Sequence, residues 1–146
     1  MYAEEAAEHF MELGARVDEI SFAPAFAESC VAKLEEGFTD NFARQASASG
    51  EAWPPRKNPK GKHPLLILTG ALVRSVGTQA PGHVERVGDR VLELGTNLVY
   101  AATHEFGSPS RNIPARPYLS VTDDILDACE AAIAERFEQY VFGGGE

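Results

Sequence analysis

The first part of the chain repeats apolar residues at helical spacing. Over residues 3–20, Phe10, Leu13 and Val17 recur on one face together with several alanines, and glutamates occupy the other faces. Glutamates near the start of a helix are also favoured by the helix dipole. The pattern therefore predicts an amphipathic helix over residues 3–20.

A second and stronger apolar stripe follows. The helix that carries it is predicted to begin near Ser21, which can cap free amide groups, and Pro24 is tolerated in the first turn because no amide partner is lost there. We interpret the stripe as a core-facing surface; the alternative is that part of it forms an oligomer interface. Its members are Phe26, Cys30, Leu34, Phe38 and Phe42.

Regular patterning stops between Gln45 and Pro64, where prolines, glycines and serines interrupt any element. At about 20 residues the stretch exceeds an ordinary connection, so it is functional or disordered. Two interpretations stay open: a solvated flexible loop with Trp53 pinned to the core, or an arm that orders against a partner during assembly. The stretch is basic through Arg56, Lys57, Lys60 and Lys62.

Two short helices are predicted in the middle of the chain. The first spans residues 71–76 and is capped by Thr69. The second is capped by Thr96 or Asn97 and is stopped by Gly107, because glycine readily ends a helix.

The same region carries the strand signals. Residues 83–87 and 90–94 are rich in valine, alternate with charged residues and are joined by Gly88 and Asp89, which predicts a β-hairpin. The alternation is imperfect, so we expect a bulge or one hydrated face. The short apolar run 65–68 is consistent with a further strand or with the lead into a helix.

The last predicted element is a long helix. It follows an irregular basic loop over residues 108–116 and begins near Ser120, which resembles a capping box together with Asp123. Glycines 143–145 end it. The elements together predict an α+β fold with two amino-terminal helices, a small mostly antiparallel sheet with a short helix, and a long carboxyl-terminal helix. The apolar stripe of the last helix comprises Val121, Ile125, Cys129, Ala132, Ile133, Phe137 and Tyr140.

Composition narrows the class of protein. The chain has 146 residues, of which 44% are hydrophobic and 24% are charged, and its net charge is -9. This length suits a single domain, and the composition excludes a highly charged disordered chain and a collagen-like fibre. No apolar run reaches the length of a membrane span, and the acidic segment 1–10 does not resemble a secretory signal. Cys30 and Cys129 lack zinc-like spacing and are expected to be two buried thiols, with a cross-link between two helices as the alternative.

The charge is unevenly distributed along the chain. Residues 1–40 hold ten acids and two bases, a net of -8; residues 41–122 hold five acids and ten bases, a net of +5; residues 123–146 hold seven acids and one base, a net of -6. An acidic chain argues against wrapping duplex DNA, which requires clustered lysines and arginines. A basic middle between acidic ends suits packing against copies of the chain or against charged neighbours.

The known catalytic motifs are missing from the sequence. It contains no nucleophile elbow, phosphate-binding loop, HExxH motif or dinucleotide-binding glycine pattern. In the adjacent pair His104-Glu105 the two side chains point in different directions on a helix. The acidic pair Asp123-Asp124 is explained by its place in the first turn of a helix. We therefore predict no catalytic, cofactor-binding or metal-binding residues and no enzyme activity, and keep a small hydrolase or metal enzyme around His104 as a rival class.

Four short runs of sequence carry a family resemblance. Two lie upstream: Trp53-Pro54-Pro55 ahead of the basic residues, and Leu68-Thr69-Gly70-Ala71-Leu72 before Arg74-Ser75. The others are Tyr100-Ala101-Ala102-Thr103-His104-Glu105-Phe106-Gly107 and Ile113-Pro114-Ala115-Arg116-Pro117-Tyr118-Leu119. In this order they resemble the phage virion morphogenesis, or tail completion, family, which includes the tail completion proteins of Mu-like and other contractile-tailed phages. The resemblance spans about residues 25–140, and the family often has Gln at the position of Glu105.

That resemblance implies a function by assembly, not by turnover. The protein would be a structural phage or prophage morphogenesis protein that completes the tail or joins the tail to the head. It would form one tail-completion-like domain over residues 1–146, with a flexible basic loop at about 45–64. Its partners would be copies of itself in a ring, for which the symmetry of phage tails suggests a hexamer, and tail-tube, terminator or head–tail connector proteins. The resemblance implies no membrane, no cofactor and no direct nucleic-acid binding, and a location in the bacterial host cytoplasm during assembly and then in the virion.

Arg116 is the motif residue with the clearest chemistry. It stands near Pro114 and before Pro117, which limit backbone freedom. A rigidly held guanidinium suits a carboxylate on a neighbouring element or subunit, and an intrachain carboxylate pair that fixes the turn is the alternative.

The remaining interface candidates come from the motif runs and the basic stretch. The side chains around residues 100–106 could instead seat the short helix on the sheet. A rival nucleic-acid-binding module would use the basic residues of 56–62 with Trp53 stacking on a base. The candidate assembly interface comprises Trp53, Arg56, Lys57, Lys60, Lys62, Tyr100, His104, Phe106, Arg111, Arg116 and Tyr118.

Overall fold

The computed structural model describes residues 2–58, 60–77 and 79–143, and its architecture is α+β, as predicted. Two strands form one antiparallel hairpin, and helices supply the other regular elements. Within the described ranges no helix is both long enough and apolar enough to cross a membrane. In chain order the elements are α1 (Tyr2–Glu19), α2 (Ala23–Ala25), a π-helical turn (Phe26–Cys30), α3 (Val31–Arg44), α4 (Ala71–Gly77), β1 (His83–Val87), β2 (Leu92–Thr96), α5 (Ala101–Phe106), a 3₁₀ turn (Pro109–Arg111) and α6 (Asp123–Phe142).

Helix α1 forms where its periodicity predicts, but it covers little of the core. Phe10 and Met11 are 70% and 75% exposed. The helix is fixed near its carboxyl end, where the Arg16 guanidinium donates to the Tyr140 carbonyl at 2.7 Å and Ile20 is buried. Much of α1 therefore presents apolar side chains to solvent.

The second predicted helix is built from α2, the π-helical turn and α3. The Ser21 hydroxyl accepts the amide of Ala23 at 3.3 Å, which supports the predicted start. The helix ends at Gln45, whose φ of 56° is left-handed. The stripe is directed inward as predicted: Phe26, Cys30, Phe38 and Phe42 are buried, and the half-buried Leu34 packs against both hydrophobic clusters.

Aromatic rings organise the main core. Phe42 packs edge-on against Trp53, with ring centroids 5.5 Å apart, and its centroid lies 5.3 Å from that of Tyr118. Such ring pairs add to the free energy gained from burial alone. The buried residues of this core are Phe38, Phe42, Trp53, Leu72, Val76, Ala101 and Tyr118.

One polar side chain lies at the edge of this core. Asn41 is 0% exposed, and its Nδ2 donates to the carbonyls of Tyr118 at 2.8 Å and Ser120 at 2.7 Å. Its Oδ1 accepts from the Arg44 guanidinium at 3.1 Å. A buried amide with its hydrogen bonds made is compatible with a core. Asn41 thus ties α3 to the segment that precedes α6.

The two cysteines are free and buried, and they lie side by side in a second cluster with Phe26. Burial, followed by the contact with the Cys129 thiol, raises the pKa of Cys30 to about 11. A thiol with that pKa stays protonated near neutral pH and is a poor nucleophile. The prediction of two buried thiols is confirmed.

The hairpin is confirmed, but its second strand begins later than predicted. Val87 pairs with Leu92, so the connecting loop has four residues, and the Gly88 amide donates to the Val91 carbonyl at 2.8 Å. The hairpin loop instead contacts the α1–α2 connection, where the Asp89 carbonyl accepts the Phe22 amide at 2.7 Å. The four loop residues therefore lie outside the paired part of the two strands.

One of the predicted helix caps is confirmed and two are wrong. Thr69 caps α4 as predicted, since its hydroxyl accepts the Ala71 amide at 3.3 Å. The predicted cap of α5 is wrong, because α5 begins at Ala101 without a side-chain cap. The Thr96 hydroxyl accepts from the Leu98 amide at 3.3 Å and from the Ser75 hydroxyl at 2.8 Å, ahead of the helix. The Ser120 capping box is also wrong: α6 begins at Asp123, and the Ser120 hydroxyl instead accepts the Ala48 amide at 3.2 Å. Of the predicted terminal glycines, Gly143 follows α6, and Gly144 and Gly145 lie outside the described residues.

The stretch after α3 is irregular, as predicted, and its two ends are joined. The Gln45 carboxamide accepts the Leu65 amide at 2.6 Å and donates to the Leu65 carbonyl at 3.1 Å. Residues 65–68 form a turn and no strand, and Leu66 has a left-handed φ of 62°. The strand alternative for this run is therefore wrong, and the run leads into α4.

Candidate assembly surface

A cleft of about 440 Å³ lies between the turn that precedes α4 and helix α5. It unites two of the motif runs, because Leu68-Thr69-Gly70 forms one wall and Tyr100 with His104 forms the other. Concave, largely apolar sites of this size are typical of binding surfaces. The lining residues are His63, Leu66, Leu68, Thr69, Gly70, Ala71, Leu72, Tyr100, His104 and Arg116.

Large apolar side chains are exposed at the cleft and along α5. Leu68 is 77% exposed and Tyr100 is 41% exposed at the cleft itself. Val99, just before α5, is 96% exposed, and Phe106, at the end of α5, is 78% exposed. Clustered exposure of this kind marks surfaces that bind other molecules.

His104 contributes a partly buried imidazole to the cleft wall. Burial, followed by the charges of Arg116 and Arg111, holds the pKa of His104 below its ordinary value. Its ring meets that of Tyr100 edge-on, with centroids 6.0 Å apart. Among the described residues, no group makes a hydrogen bond with the buried His104 Nδ1. His104 thus adds an imidazole with one buried, unsatisfied nitrogen to the wall of the cleft.

Arg116 is a further lining residue of the cleft, and its partners within the chain are not carboxylates. Its Nε donates to the Pro54 carbonyl at 2.9 Å, and its Nη2 donates to the Pro55 carbonyl at 3.1 Å. Trp53 Nε1 returns a hydrogen bond to the Pro117 carbonyl at 2.8 Å. The intrachain Arg116–carboxylate pair is wrong, because the Trp53-Pro54-Pro55 run supplies carbonyl oxygens in its place. A carboxylate on a neighbouring subunit stays a prediction.

Glu105 holds the last motif run against α5. Its Oε2 accepts the amides of Tyr118 at 2.8 Å and Leu119 at 3.1 Å. The Tyr118 hydroxyl donates to the Ala101 carbonyl at 2.8 Å, and burial, followed by the charge of Glu105, raises the pKa of Tyr118. A glutamine at position 105 would keep an accepting oxygen for these two amides.

Several predicted interface residues prove to be internal. Trp53 and Tyr118 are 4% and 0% exposed, so their side chains are core groups and their assignment to a surface interface is wrong. The same burial prevents Trp53 from stacking on a base, which removes the aromatic part of the rival nucleic-acid module. Arg116 is 9% exposed and reaches the cleft only at its edge.

The other candidates lie on the surface. Tyr100 and His104 line the cleft, and Phe106 is exposed beside it on α5. The basic candidates differ in the contacts that they make. Arg56 donates to the His63 carbonyl and Lys57 to the Asn112 carbonyl, whereas Lys60, Lys62 and Arg111 are exposed.

Sequence reasoning missed part of the cleft. Leu66 and Leu68 belong to an apolar run that was interpreted as a strand or as the lead into a helix. Val99 stood out in no periodic pattern. The signal that could have found Leu68 is its place directly before a helix cap, where an apolar side chain has no helix face to join.

Comparisons with known proteins agree with the motif order. The sequence profile of the phage virion morphogenesis family matches residues 10–141. An uncharacterized protein of Methanocaldococcus jannaschii is 35% identical over 88 residues, which cover 55% of this chain and 63% of that protein. The chain thus spans less than two thirds of the length of that relative. No solved structure matches the chain.

Proposed function

The chain belongs to the phage virion morphogenesis family, and from that membership we propose that it completes the phage tail or joins the tail to the head. It does so by binding protein neighbours, in the host cytoplasm during assembly and then in the virion. The neighbours are copies of itself in a ring, with a hexamer as the working number, and tail-tube, terminator or connector subunits.

The observation that carries this proposal is the exposed apolar cleft. Burial of one large apolar side chain is worth about 1.5–3 kcal/mol. Leu68, Val99 and Phe106 are each more than three-quarters exposed, so the free chain forgoes that stabilisation at three positions. Leu68 lines the cleft, whereas Val99 and Phe106 lie at the two ends of α5, so a neighbouring subunit that covers both the cleft and α5 would recover this stabilisation.

A head-to-tail ring needs two different, complementary patches on each subunit. Helix α1 offers the second patch, since Phe10 and Met11 are exposed among the glutamates at positions 4, 5, 8 and 12. The cleft is apolar with basic groups nearby: Lys62 precedes the lining residue His63, and Arg111 acts on His104. We propose that α1 of one subunit binds the cleft of the next, where apolar and charged groups both match.

Light scattering coupled to size-exclusion chromatography tests the assembly. The expected result is a mass that rises from monomer to a closed ring with protein concentration and falls with added salt, because opposite charges across the contact are screened. Leu68→Ser in the cleft should weaken assembly, whereas Val91→Ser, which alters a 58% exposed residue of the hairpin loop, should not. A monomer at every concentration and salt, also in the presence of tail-tube protein, would contradict the proposal.

A mixing experiment tests the head-to-tail arrangement. Phe10→Ser damages one patch and Leu68→Ser damages the other, so each variant alone should remain monomeric. Mixed together, they retain one intact pair of patches and should form heterodimers that cannot close into a ring. Full rings from either variant alone would show that α1 and the cleft do not bind each other.

A further inference from the structure

Three potential metal ligands, none of which lines the cleft, lie close together. His83 and Glu85 are two positions apart on β1, so their side chains share one face of the hairpin. That face meets Glu35 of α3: His83 Nε2 lies 3.2 Å from Glu35 Oε1 and 3.8 Å from Glu85 Oε1. One ligand atom from each of the three residues lies within 4.8 Å of the other two.

The imidazole of His83 is oriented as a ligand. Its Nδ1 lies 2.7 Å from the Ser75 carbonyl oxygen. A carbonyl oxygen can only accept a hydrogen bond, so Nδ1 must carry a proton and donate it. The other ring nitrogen, Nε2, faces the two carboxylates. The His83 side chain is 3% exposed. Metal-binding histidines commonly donate their second ring nitrogen to a backbone carbonyl, which fixes the tautomer and the ring.

The centre of the cluster has unsatisfied polar atoms. His83 Nε2 and Glu35 Oε1 are both buried, and neither makes a hydrogen bond within the described part of the chain, although they lie 3.2 Å apart. Unpartnered buried polar atoms are costly, and the nearby carboxylates of Glu35 and Glu85 repel each other. A cation between the three ligands would remove both penalties.

We propose that Glu35, His83 and Glu85 bind one divalent transition-metal ion, with Zn²⁺ as the best match. Zinc bonds of about 2.0–2.1 Å in a tetrahedron place neighbouring ligand atoms about 3.3 Å apart, and the nitrogen–oxygen separations of 3.2 and 3.8 Å lie on either side of that spacing. An imidazole with two carboxylates also favours zinc over the all-oxygen sites of calcium and magnesium.

The fourth position of the site faces solvent. The Glu85 side chain is 29% exposed, against 17% for Glu35 and 3% for His83, so the cluster opens on the Glu85 side, where water can complete the coordination. The metal would link α3 to the hairpin, which makes it a structural clasp between two elements far apart in sequence. The sequence predicted no metal because this ligand set has no short motif: 47 residues separate Glu35 from His83.

Zinc titration of the tag-free, chelator-treated protein tests the proposal. Calorimetry should show one Zn²⁺ bound per chain, and the thermal unfolding midpoint should rise with added Zn²⁺ because the metal binds only the folded site. Glu85→Gln and His83→Gln should each lower the affinity at least tenfold, as loss of a ligand does. Glu93→Gln and His9→Gln change exposed residues elsewhere and should leave the affinity unchanged.

Further measurements distinguish loss of a metal ligand from loss of the fold. Since His83 is buried and its substitution could disturb folding, the partly exposed Glu85→Gln provides the decisive loss, with circular dichroism to confirm its fold. Co²⁺ should bind at the same site and give visible absorption that Glu85→Gln abolishes. Absence of saturable binding, or binding that survives Glu85→Gln and His83→Gln, would overturn the proposal. A His83 imidazole whose proton resonances titrate identically with and without Zn²⁺ would overturn it as well.

Discussion

Replacing Asn41 by alanine should be among the most damaging single substitutions in the core. The change deletes a donor that serves two backbone carbonyls, those of Tyr118 at 2.8 Å and Ser120 at 2.7 Å. Alanine leaves both carbonyl oxygens without that partner, and water has no ready access because the site is 0% exposed. The loss therefore falls on α3 and on the start of α6 together.

The magnitude follows from the number of orphaned groups. A buried acceptor that loses its donor costs about 1–3 kcal/mol. Two such acceptors, one of them only partly buried, give an expected loss of about 3 kcal/mol in the free energy of unfolding. For a chain of this size each kcal/mol lowers the unfolding midpoint by about 2–4 °C, so the expected shift is roughly 6–12 °C.

Urea titration followed by tryptophan fluorescence measures this loss directly. Trp53 is the single tryptophan of the chain, and it is 4% exposed, so its emission reports on the opening of the core. Asn97→Ala is the matched control, because Asn97 is exposed. If Asn41→Ala costs less than about 1 kcal/mol, or no more than Asn97→Ala, then the buried carbonyls do not depend on Asn41 and the reasoning fails.

Four other substitutions or measurements probe separate contacts. Glu105→Ala should lower stability by about 1.5–3 kcal/mol in urea because two backbone amides lose a charged acceptor, whereas Glu105→Gln should cost clearly less; equal losses would contradict this. Gly107→Ala should lower the unfolding midpoint because φ is +75° and a Cβ would lie 2.7 Å from a backbone nitrogen, while Gly95→Ala, with no atom within 4 Å of its Cβ, should tolerate the methyl group; equal effects would refute the steric argument. With its pKa raised to about 11 by burial, the thiol of Cys30 should react with a disulfide reagent far more slowly in the folded protein than in urea, and equal rates would disprove its burial. The pKa of His104 is depressed in the folded state, so the unfolded chain takes up its proton first and stability should fall as the pH drops through about 6.5; this fall should shrink in His104→Gln, and an unchanged pH profile would count against the depressed pKa.

The elements that the sequence predicted well are those with a local signal. The four-residue steps from Phe26 to Phe42 define a helix face whatever lies opposite, and the structure buries that face. Thr69 caps a helix that begins two residues later, so its partner is also local. Both predictions depend on contacts within one or two turns, which sequence spacing alone determines.

The predictions that failed concern groups whose partners are distant. Ser120 has the spacing of a helix cap, yet its hydroxyl accepts an amide 72 residues earlier. The prolines around Arg116 did indicate a rigid presentation, but no local pattern could identify carbonyls 61 and 62 residues away as acceptors. The sequence thus indicates which hydrogen bonds a Ser120 or Arg116 side chain can make, but the tertiary fold determines which partner it meets.

The residues of the candidate cleft were also predicted only in part. The motif runs correctly drew attention to Tyr100 and His104, which line it. They also included Trp53 and Tyr118, which are core residues, because an aromatic side chain that packs and one that binds look alike in sequence. Burial separates the two kinds, and burial is a property of the whole fold.

The hydrogen bonds made by the Pro117–Ser120 segment also set the order in which the chain can fold during synthesis. Its carbonyls and hydroxyl serve Trp53, Asn41 and the Ala48 amide, donors that lie 64 to 79 residues earlier. At a translation rate of about 5–20 residues per second, the ribosome needs roughly 3–16 s to supply these acceptors after the donors have been made. During that interval the aromatic stripe of α3 has neither its ring partner Tyr118 nor its carbonyl partners. We therefore expect the core of the nascent chain to close only after residue 120 has left the ribosome.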